Sequence, residues 1–207
     1  AAMLSGAAPG EMVADICAGA GGKTLALAAM MANTGKLTAF DTDKFRLRPI
    51  FERMSRAGAT NIDVIPADER ARLDKLKGTL DCVFVDAPCS GSGAWRRKPD
   101  AKWRLTEPLL KQRIKDQRQV LEQAAKLVRP GGRVVYVTCS ILQEENRDQI
   151  RWFQGDHPDF ALQPQSLRGA TSETVLLRPV RHKNVCSFMW EQRKSAATYH
   201  ILEVASE

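Results

Sequence analysis

The chain has 207 residues, with 31 lysines and arginines against 24 acids, a formal net charge of +7. Such a length suits one large domain able to bury a substantial core, and the basic balance points toward a polyanionic partner. Five cysteines without paired short spacing argue against a disulfide framework, three scattered histidines give no zinc-ligand spacing, and no apolar run reaches the length of a membrane span.

Ala1 to Ser5 carries neither the basic region nor the long apolar core of a signal peptide, so a soluble, cytoplasmic, monomeric chain without metal is expected. Pro9-Gly10 precedes an apolar run, Met12 to Cys17, which leads into Gly19-Ala20-Gly21-Gly22-Lys23 and the alanine- and leucine-rich Thr24 to Met31. This predicts strand, glycine turn, helix. Asn33-Thr34-Gly35 breaks the helix before a second strand, Leu37 to Phe40, ending at Asp41. Phe45, Leu47, Ile50, Phe51 and Met54 fall at near-helical spacing and predict a helix ending at Ala57-Gly58. Ile62 to Ile65 is a third strand, with Asp68 just past its end.

Leu80 to Val85 is almost continuously apolar, the pattern of a strand buried on both faces, and it delivers Asp86. Ala87 to Leu105 reads as a long irregular stretch, of the kind that is usually functional. A long helix starts near Thr106-Glu107-Pro108 with threonine as cap. It presents Leu110, Ile114, Gln117, Leu121, Ala124 and Val128 on one face and stops at Arg129-Pro130-Gly131-Gly132. Val134 to Val137 is the next strand, Glu144 to Phe153 a helix, and Thr174 to Leu177 and Tyr199 to Val204 late strands, with Asn184 to Trp190 competing for that role. Strands alternating with helices predict an α/β fold, a doubly wound, mostly parallel sheet with an antiparallel edge late in the chain.

In such a sheet ligands bind beyond the carboxyl ends of the strands. The glycine turn brings backbone N–H groups close to a ligand, Asp41 suits ribose hydroxyls, and Asp68 suits either an adenine amino group or a turn cap. Gly-x-Gly-Gly is not the dinucleotide fingerprint, and Cys17 stands where a phosphate-binding loop ending in Gly22-Lys23-Thr24 needs glycine. A nucleoside without phosphates is therefore favoured, and S-adenosylmethionine (SAM) is such a ligand.

Asp86-Ala87-Pro88-Cys89 and Thr138-Cys139-Ser140 bring an acid and two thiols to strand ends. Beside SAM they suit methylation of a pyrimidine at carbon 5. A thiolate adding to carbon 6 makes the ring an enamine, an acid meets the ring nitrogen, and a base removes the carbon 5 proton. The residues alone leave open which thiol attacks. Cys82, inside its strand, reads as inert core. Arg96, Arg97, Lys98, Lys102 and Arg104, interleaved with Trp95 and Trp103, suit the phosphates and unstacked bases of RNA; the bland alternative buries Trp103 and solvates the charges.

Four segments carry a resemblance: Asp15-Ile16-Cys17-Ala18-Gly19-Ala20-Gly21-Gly22-Lys23-Thr24, Asp86-Ala87-Pro88-Cys89-Ser90-Gly91-Ser92-Gly93, Arg97-Lys98-Pro99-Asp100-Ala101-Lys102-Trp103, and Thr138-Cys139-Ser140 with Glu144-Glu145-Asn146. In this order they resemble the RNA cytosine-5 methyltransferases of the Sun/NOL1/NOP2 (RsmB/NOP) family. The resemblance implies a Rossmann-like SAM-dependent methyltransferase domain, SAM as donor and a cytosine in rRNA or tRNA as acceptor. It also implies that Cys139 attacks, that Cys89 assists release, and that Asp86 contacts the cytosine beside the cofactor. By the same resemblance Cys17, Ala18, Gly19, Ala20, Gly21, Gly22 and Lys23 hold the methionine part, Asp41 the ribose and Asp68 the adenine, and Arg46 falls on a family position.

Cys89 is the rival nucleophile, because a Pro-Cys dipeptide carries the attacking thiol in DNA cytosine methyltransferases. One catalytic domain over residues 1–207 is expected, without the RNA-binding extension that often precedes it. After Arg181-His182 the chain reads Lys183-Asn184-Val185-Cys186-Ser187-Phe188 where the family usually runs Gly-Thr-Asp-Gly-Phe-Phe. A non-catalytic RNA-binding or assembly protein on the same fold is the second reading.

Overall fold

The computed structural model describes residues 1–165, 174–176 and 198–204. Five parallel strands, β1 (Met12–Asp15), β2 (Lys36–Phe40), β3 (Ile62–Ile65), β4 (Leu80–Asp86) and β5 (Val128–Thr138), lie in the order β3-β2-β1-β4-β5. Beyond β5 the sheet turns antiparallel: β8 (Thr198–Val204) pairs with β5, and β6 (Phe160–Gln165) and β7 (Thr174–Leu176) extend the sheet past β8. The helices are α1 (Gly22–Met30), α2 (Lys44–Leu47), α3 (Ile50–Ala57), α4 (Arg70–Asp74), α5 (Asp100–Arg104), α6 (Glu107–Leu127) and α7 (Arg147–Asp156).

The apolar runs of β4 and β5 are continuous because both sheet faces are covered. Side chains alternate along a strand, so Cys82 and Phe84 pack with Val135, Val137, Leu27 of α1 and Met31 just past its end. Val83 and Val85 face the other way, onto Tyr136, Leu121 and Leu127 of α6 and Phe153 of α7. The Cys82 thiol is thus core, as expected. Between β1 and β4 the strand order reverses, which opens a crevice at the carboxyl ends of the central strands.

Local chemistry shifts several predicted boundaries. The helix expected through Phe45 to Met54 is two, because Pro49 has no N–H to donate and α3 restarts at Ile50. Phe45 and Phe51 are exposed, whereas Leu47 and Ile50 are buried. The expected helix end at Gly58 stands, with that glycine at φ +62°. Thr106 caps α6 as predicted, accepting from the Leu109 N–H at 3.4 Å. The stretch from Ala87 to Leu105 is less irregular than its sequence suggests, holding a 3₁₀ turn over Ser92–Ala94 and α5. The helix expected from Glu144 begins at Arg147, after a 3₁₀ turn over Gln143–Glu145. β6 was not anticipated, its pattern being obscured by Pro164 and two glutamines. The alternative strand at Asn184 to Trp190, Cys186 and the departure after His182 lie outside the described residues.

The start of the glycine turn is tied down by Asp15, which is fully buried at the end of β1. Its carboxyl accepts from the Thr24 hydroxyl at 2.7 Å and from the Cys17 N–H at 3.3 Å, joining β1, the turn and α1. Burial pushes this carboxyl up to about 7, against the Thr24 hydrogen bond, which pulls it down. An acid raised on folding binds more protons in the folded than in the unfolded state between its unfolded value, about 4, and its folded one. Its contribution is therefore greatest below pH 4 and is lost as pH rises toward 7, at up to about 1.4 kcal/mol per pH unit. Asp15→Asn, with no proton to lose, should gain stability relative to the parent between pH 4.5 and 7.5 in urea titrations; parallel stability profiles would contradict this assignment.

Candidate active site

The parallel register of β4 and β5 sets Asp86 beside Val137. From there each chain runs a few residues to a thiol, and Cys89 and Cys139 meet with sulfurs 3.3 Å apart. Backbone hydrogen bonds lace the two loops together, from Ala87 N–H to Val137 O at 2.8 Å and from Gly93 N–H to Cys139 O at 2.9 Å. Cys139 is exposed and Cys89 half-buried. At the same crevice Lys23, in the first turn of α1, donates to Asp86 at 2.5 Å. Both partners are about one-third exposed, so the pair is worth little to stability and its importance is positional.

The loops are built around a carboxylate that the sequence motif includes but to which sequence reasoning gives no role. Glu145 is fully buried, and its oxygens accept from the Ser90 N–H at 2.7 Å, the Ser90 hydroxyl at 2.5 Å and the Gln117 amide at 3.1 Å. Gln117 donates to Pro88 O as well, at 2.9 Å, so α6 grips the residue before Cys89. On the Cys139 side, the Thr138 hydroxyl donates to Asn146 at 2.6 Å, and the Asn146 amide donates to Ser140 O at 3.0 Å and Leu142 O at 2.8 Å. The Ser92 and Ser140 hydroxyls, 2.9 Å apart, bridge the two loops. A buried polar cluster of this kind is costly if any member loses its partner, and so it fixes one arrangement.

That arrangement splits the two thiols electrostatically. The hydrogen bond from Cys89 stabilises a thiolate at Cys139 and, helped by the charge of Lys23, brings Cys139 down to about 7, although partial burial and Asp86 oppose it. The same bond, together with burial, holds Cys89 well above the usual thiol range. Near neutral pH Cys139 therefore carries more thiolate than an ordinary thiol does.

The glycine turn lies on the other side of the crevice. Gly19 (φ +50°) donates to Asp41 at 2.9 Å, and a Cβ on Gly19 would stand 3.2 Å from the Arg46 guanidinium. Arg46 itself lies 3.7 Å from Asp41, whose carboxylate is buried at the end of β2. At Gly21 (φ +80°) a Cβ would meet Ile50 at 2.5 Å, so only glycine lets the turn sit this close to α3. Cys17 lies in this turn, its thiol pushed up by burial and by Asp15 and Asp41. Asp68 is exposed in a 3₁₀ turn beyond β3, where it caps nothing. The structure thus brings Asp86, Cys89, Cys139 and Lys23 together, sets Asp41 and Arg46 against Gly19, and leaves Asp68 at the rim.

The cationic side chains of the basic loop are exposed, whereas Trp95 is half-buried. Arg96, Arg97 and Lys98 face solvent, Arg104 pairs with Asp100, and Trp103 is 81% exposed with the Lys102 ammonium 5.5 Å from its ring centre. Trp103 is therefore not core. Among the described residues no group of three or more His, Cys, Asp or Glu is placed to hold a metal ion, and no helix is long and apolar enough to cross a membrane.

An open sheet in this order, with a glycine turn after β1 and an acid after β2, defines a Rossmann-like, SAM-dependent methyltransferase fold. The family model described as 16S rRNA methyltransferase RsmB/F matches residues 2–189, and the chain belongs to that family. It is 39% identical over 154 residues to the ribosomal RNA small subunit methyltransferase B of Sodalis glossinidius (strain morsitans), a match that covers 74% of this chain and 35% of that protein. The crystal structure of PH0851 superposes with a TM-score of 0.79 at 33% identity, covering 98% of this chain and 44% of the other. That of NSun6 from Pyrococcus horikoshii with SFG gives 0.70 at 30% identity, covering 80% and 42%. The chain thus spans about a third of the length of the curated relatives it matches.

The thiol pairing has a direct readout. Iodoacetamide alkylation of Cys139 should rise through a midpoint near pH 7, and Cys89→Ala, which removes the hydrogen-bond donor, should move that midpoint upward by about one unit or more. A Cys139 midpoint at the ordinary thiol value in the parent would contradict the coupling.

Proposed function

We propose that the chain methylates carbon 5 of a cytosine in small-subunit ribosomal RNA, using SAM as donor, Cys139 as nucleophile and Cys89 as the releasing group. The observation that carries this reading is the pair of thiols 3.3 Å apart beside the Lys23–Asp86 pair, with the exposed Cys139 biased toward the thiolate and Cys89 toward the thiol. The names of the curated relatives support the choice of small-subunit rRNA.

The residues present fit SAM. The first turn of α1 leaves backbone N–H groups of Gly22, Lys23 and Thr24 without intrahelical acceptors, and a helix N-terminus favours a carboxylate such as that of the methionine part. Each oxygen of Asp41 accepts only one backbone hydrogen bond, from Gly19 and from Asp43, which leaves lone pairs for ribose hydroxyls. Asp68, beyond β3, is the residue assigned to the adenine amino group. When bound, the cofactor supplies an electrophilic methyl group.

The chain's own residues do the rest. The Cys139 thiolate adds to carbon 6 of the cytosine, pushing ring electrons toward carbon 5, while Asp86, fixed by Lys23, meets the ring at its nitrogen edge. Once Cys139 is a thioether it no longer offers Cys89 a negative partner. The bond that was the largest cause holding Cys89 protonated is lost, and Cys89 can pass its proton to solvent water. After carbon 5 has taken the methyl group that the bound cofactor would supply, the Cys89 thiolate takes the carbon 5 proton; those C–H electrons restore the carbon 5 to carbon 6 double bond, and Cys139 leaves as thiolate. Arg96, Arg97, Lys98, Lys102 and Arg104 are assigned to RNA phosphates and the exposed face of Trp103 to an unstacked base.

Incubation with methyl-labelled SAM and unmodified small-subunit rRNA should give 5-methylcytosine. Cys139→Ala should lose at least about 1,000-fold in rate, and Cys89→Ala should accumulate an RNA–protein adduct that survives denaturation. An adduct formed by Cys139→Ala would reverse the two roles, and SAM binding without transfer to any RNA would support the non-catalytic reading.

A further inference from the structure

Two cysteine sulfurs at 3.3 Å, on loops locked together by backbone hydrogen bonds, are also close to the geometry of a disulfide, whose S–S bond is about 2.05 Å. We propose that Cys89 and Cys139 form a peroxide-sensitive dithiol, which a hydroperoxide converts to an intramolecular disulfide.

The geometry meets each requirement of the reaction. The attacking sulfur must reach solvent, and Cys139 is exposed. The second sulfur must be adjacent but shielded enough not to be oxidised first, and Cys89 is half-buried behind it. Gly91 leaves room for movement, since even a Cβ added there would lie 4.0 Å from the Cys139 sulfur. Among the described residues the other thiols are less reactive: Cys82 is buried in β4, and desolvation with the neighbouring carboxylates favours the protonated form of Cys17.

The chemistry balances in two steps. The Cys139 thiolate attacks one peroxide oxygen, the O–O bond breaks, and a sulfenic acid forms as the leaving alkoxide or hydroxide takes a proton. Cys89, which no longer faces a thiolate, then passes its proton to the departing hydroxyl as its sulfur attacks the Cys139 sulfur; the S–S bond forms, the S–O bond breaks, and water leaves. In sum two thiols are oxidised by two electrons, and one hydroperoxide is reduced to an alcohol, or to water, plus water. Thiol reductants reverse the change.

The linkage requires neither RNA nor cofactor, so it stands or falls independently of the proposed reaction. Its consequence for activity rests on that reading, since the disulfide removes both the nucleophile and the releasing group. The test is to treat the full chain with a few equivalents of hydrogen peroxide at pH 7, alkylate the remaining thiols, and digest with trypsin. The expected product is the peptide holding Cys139 joined to the peptide from Gly78 to Arg96, with fragment ions placing the bond at Cys89 and not at Cys82, and it should disappear with dithiothreitol. Cys89→Ser should abolish the linkage and leave Cys139 as a sulfenic acid trapped by dimedone. If the parent keeps both thiols alkylatable, if Cys139 advances to sulfinic acid without linkage, or if the bond forms at Cys186 or Cys82, the proposal is overturned. If the linkage forms but methyl transfer is absent before as well as after peroxide, the proposed function fails and the dithiol remains.

Discussion

Parallel pairing of β4 with β5 in one register is the constraint on which the site depends. It places Asp86 beside Val137, and only from that starting point do three further residues on one strand and two on the other bring sulfur to sulfur. A one-residue slip would turn each strand's side chains to the opposite face, moving Val83 and Val85 off α6 and Phe84 off α1. The register is therefore held by the core on both faces of the sheet, and the chemistry inherits a geometry that packing enforces.

Packing alone does not fix the loops beyond the strands, and there hydrogen bonding takes over. Glu145 is an ionisable side chain with no exposure, and removing such a group strands its donors at about 1–3 kcal/mol each. It binds Ser90, reaches α6 through Gln117 and carries the backbone that Tyr136 touches: the Tyr136 hydroxyl donates to Glu145 O at 2.8 Å. One residue thus relates the Cys89 loop, the long helix and the fifth strand. The Ser92–Ser140 contact and Asn146 do the same for the Cys139 loop. With both loops pinned, the short contact between the thiols divides their protonation states, and the same contact leaves them susceptible to oxidation.

Much of this was legible in the sequence because it rests on local patterns. Continuous apolar runs marked the central strands, the glycine turn and its flanking acid marked the ends of β1 and β2 where they meet, and strand ends marked Asp86 and the two thiols that the structure brings together. The breaks came where a single residue overrides periodicity, as Pro49 does between α2 and α3, or where a strand is short and polar, as β6 is. Trp103 was ambiguous because an aromatic residue suits a core and an exposed base platform equally, and burial alone separates them. The polar cluster beneath the thiols was hardest to read, since its members are far apart in sequence. A signal was present in Gln117, an amide in the otherwise apolar face of α6, and in the acid pair preceding Asn146. Neither says which loop it supports until the fold places it.

The division of labour between the thiols is tested most directly by a substrate that blocks release. An RNA transcript with 5-fluorocytidine replacing cytidine has no carbon 5 proton to remove after methyl transfer, so the adduct persists on whichever sulfur attacked. Digestion and mass spectrometry of that adduct should find the nucleotide on the peptide holding Cys139. A nucleotide on Cys89, or adduct formation that survives Cys139→Ala, would contradict the assignment.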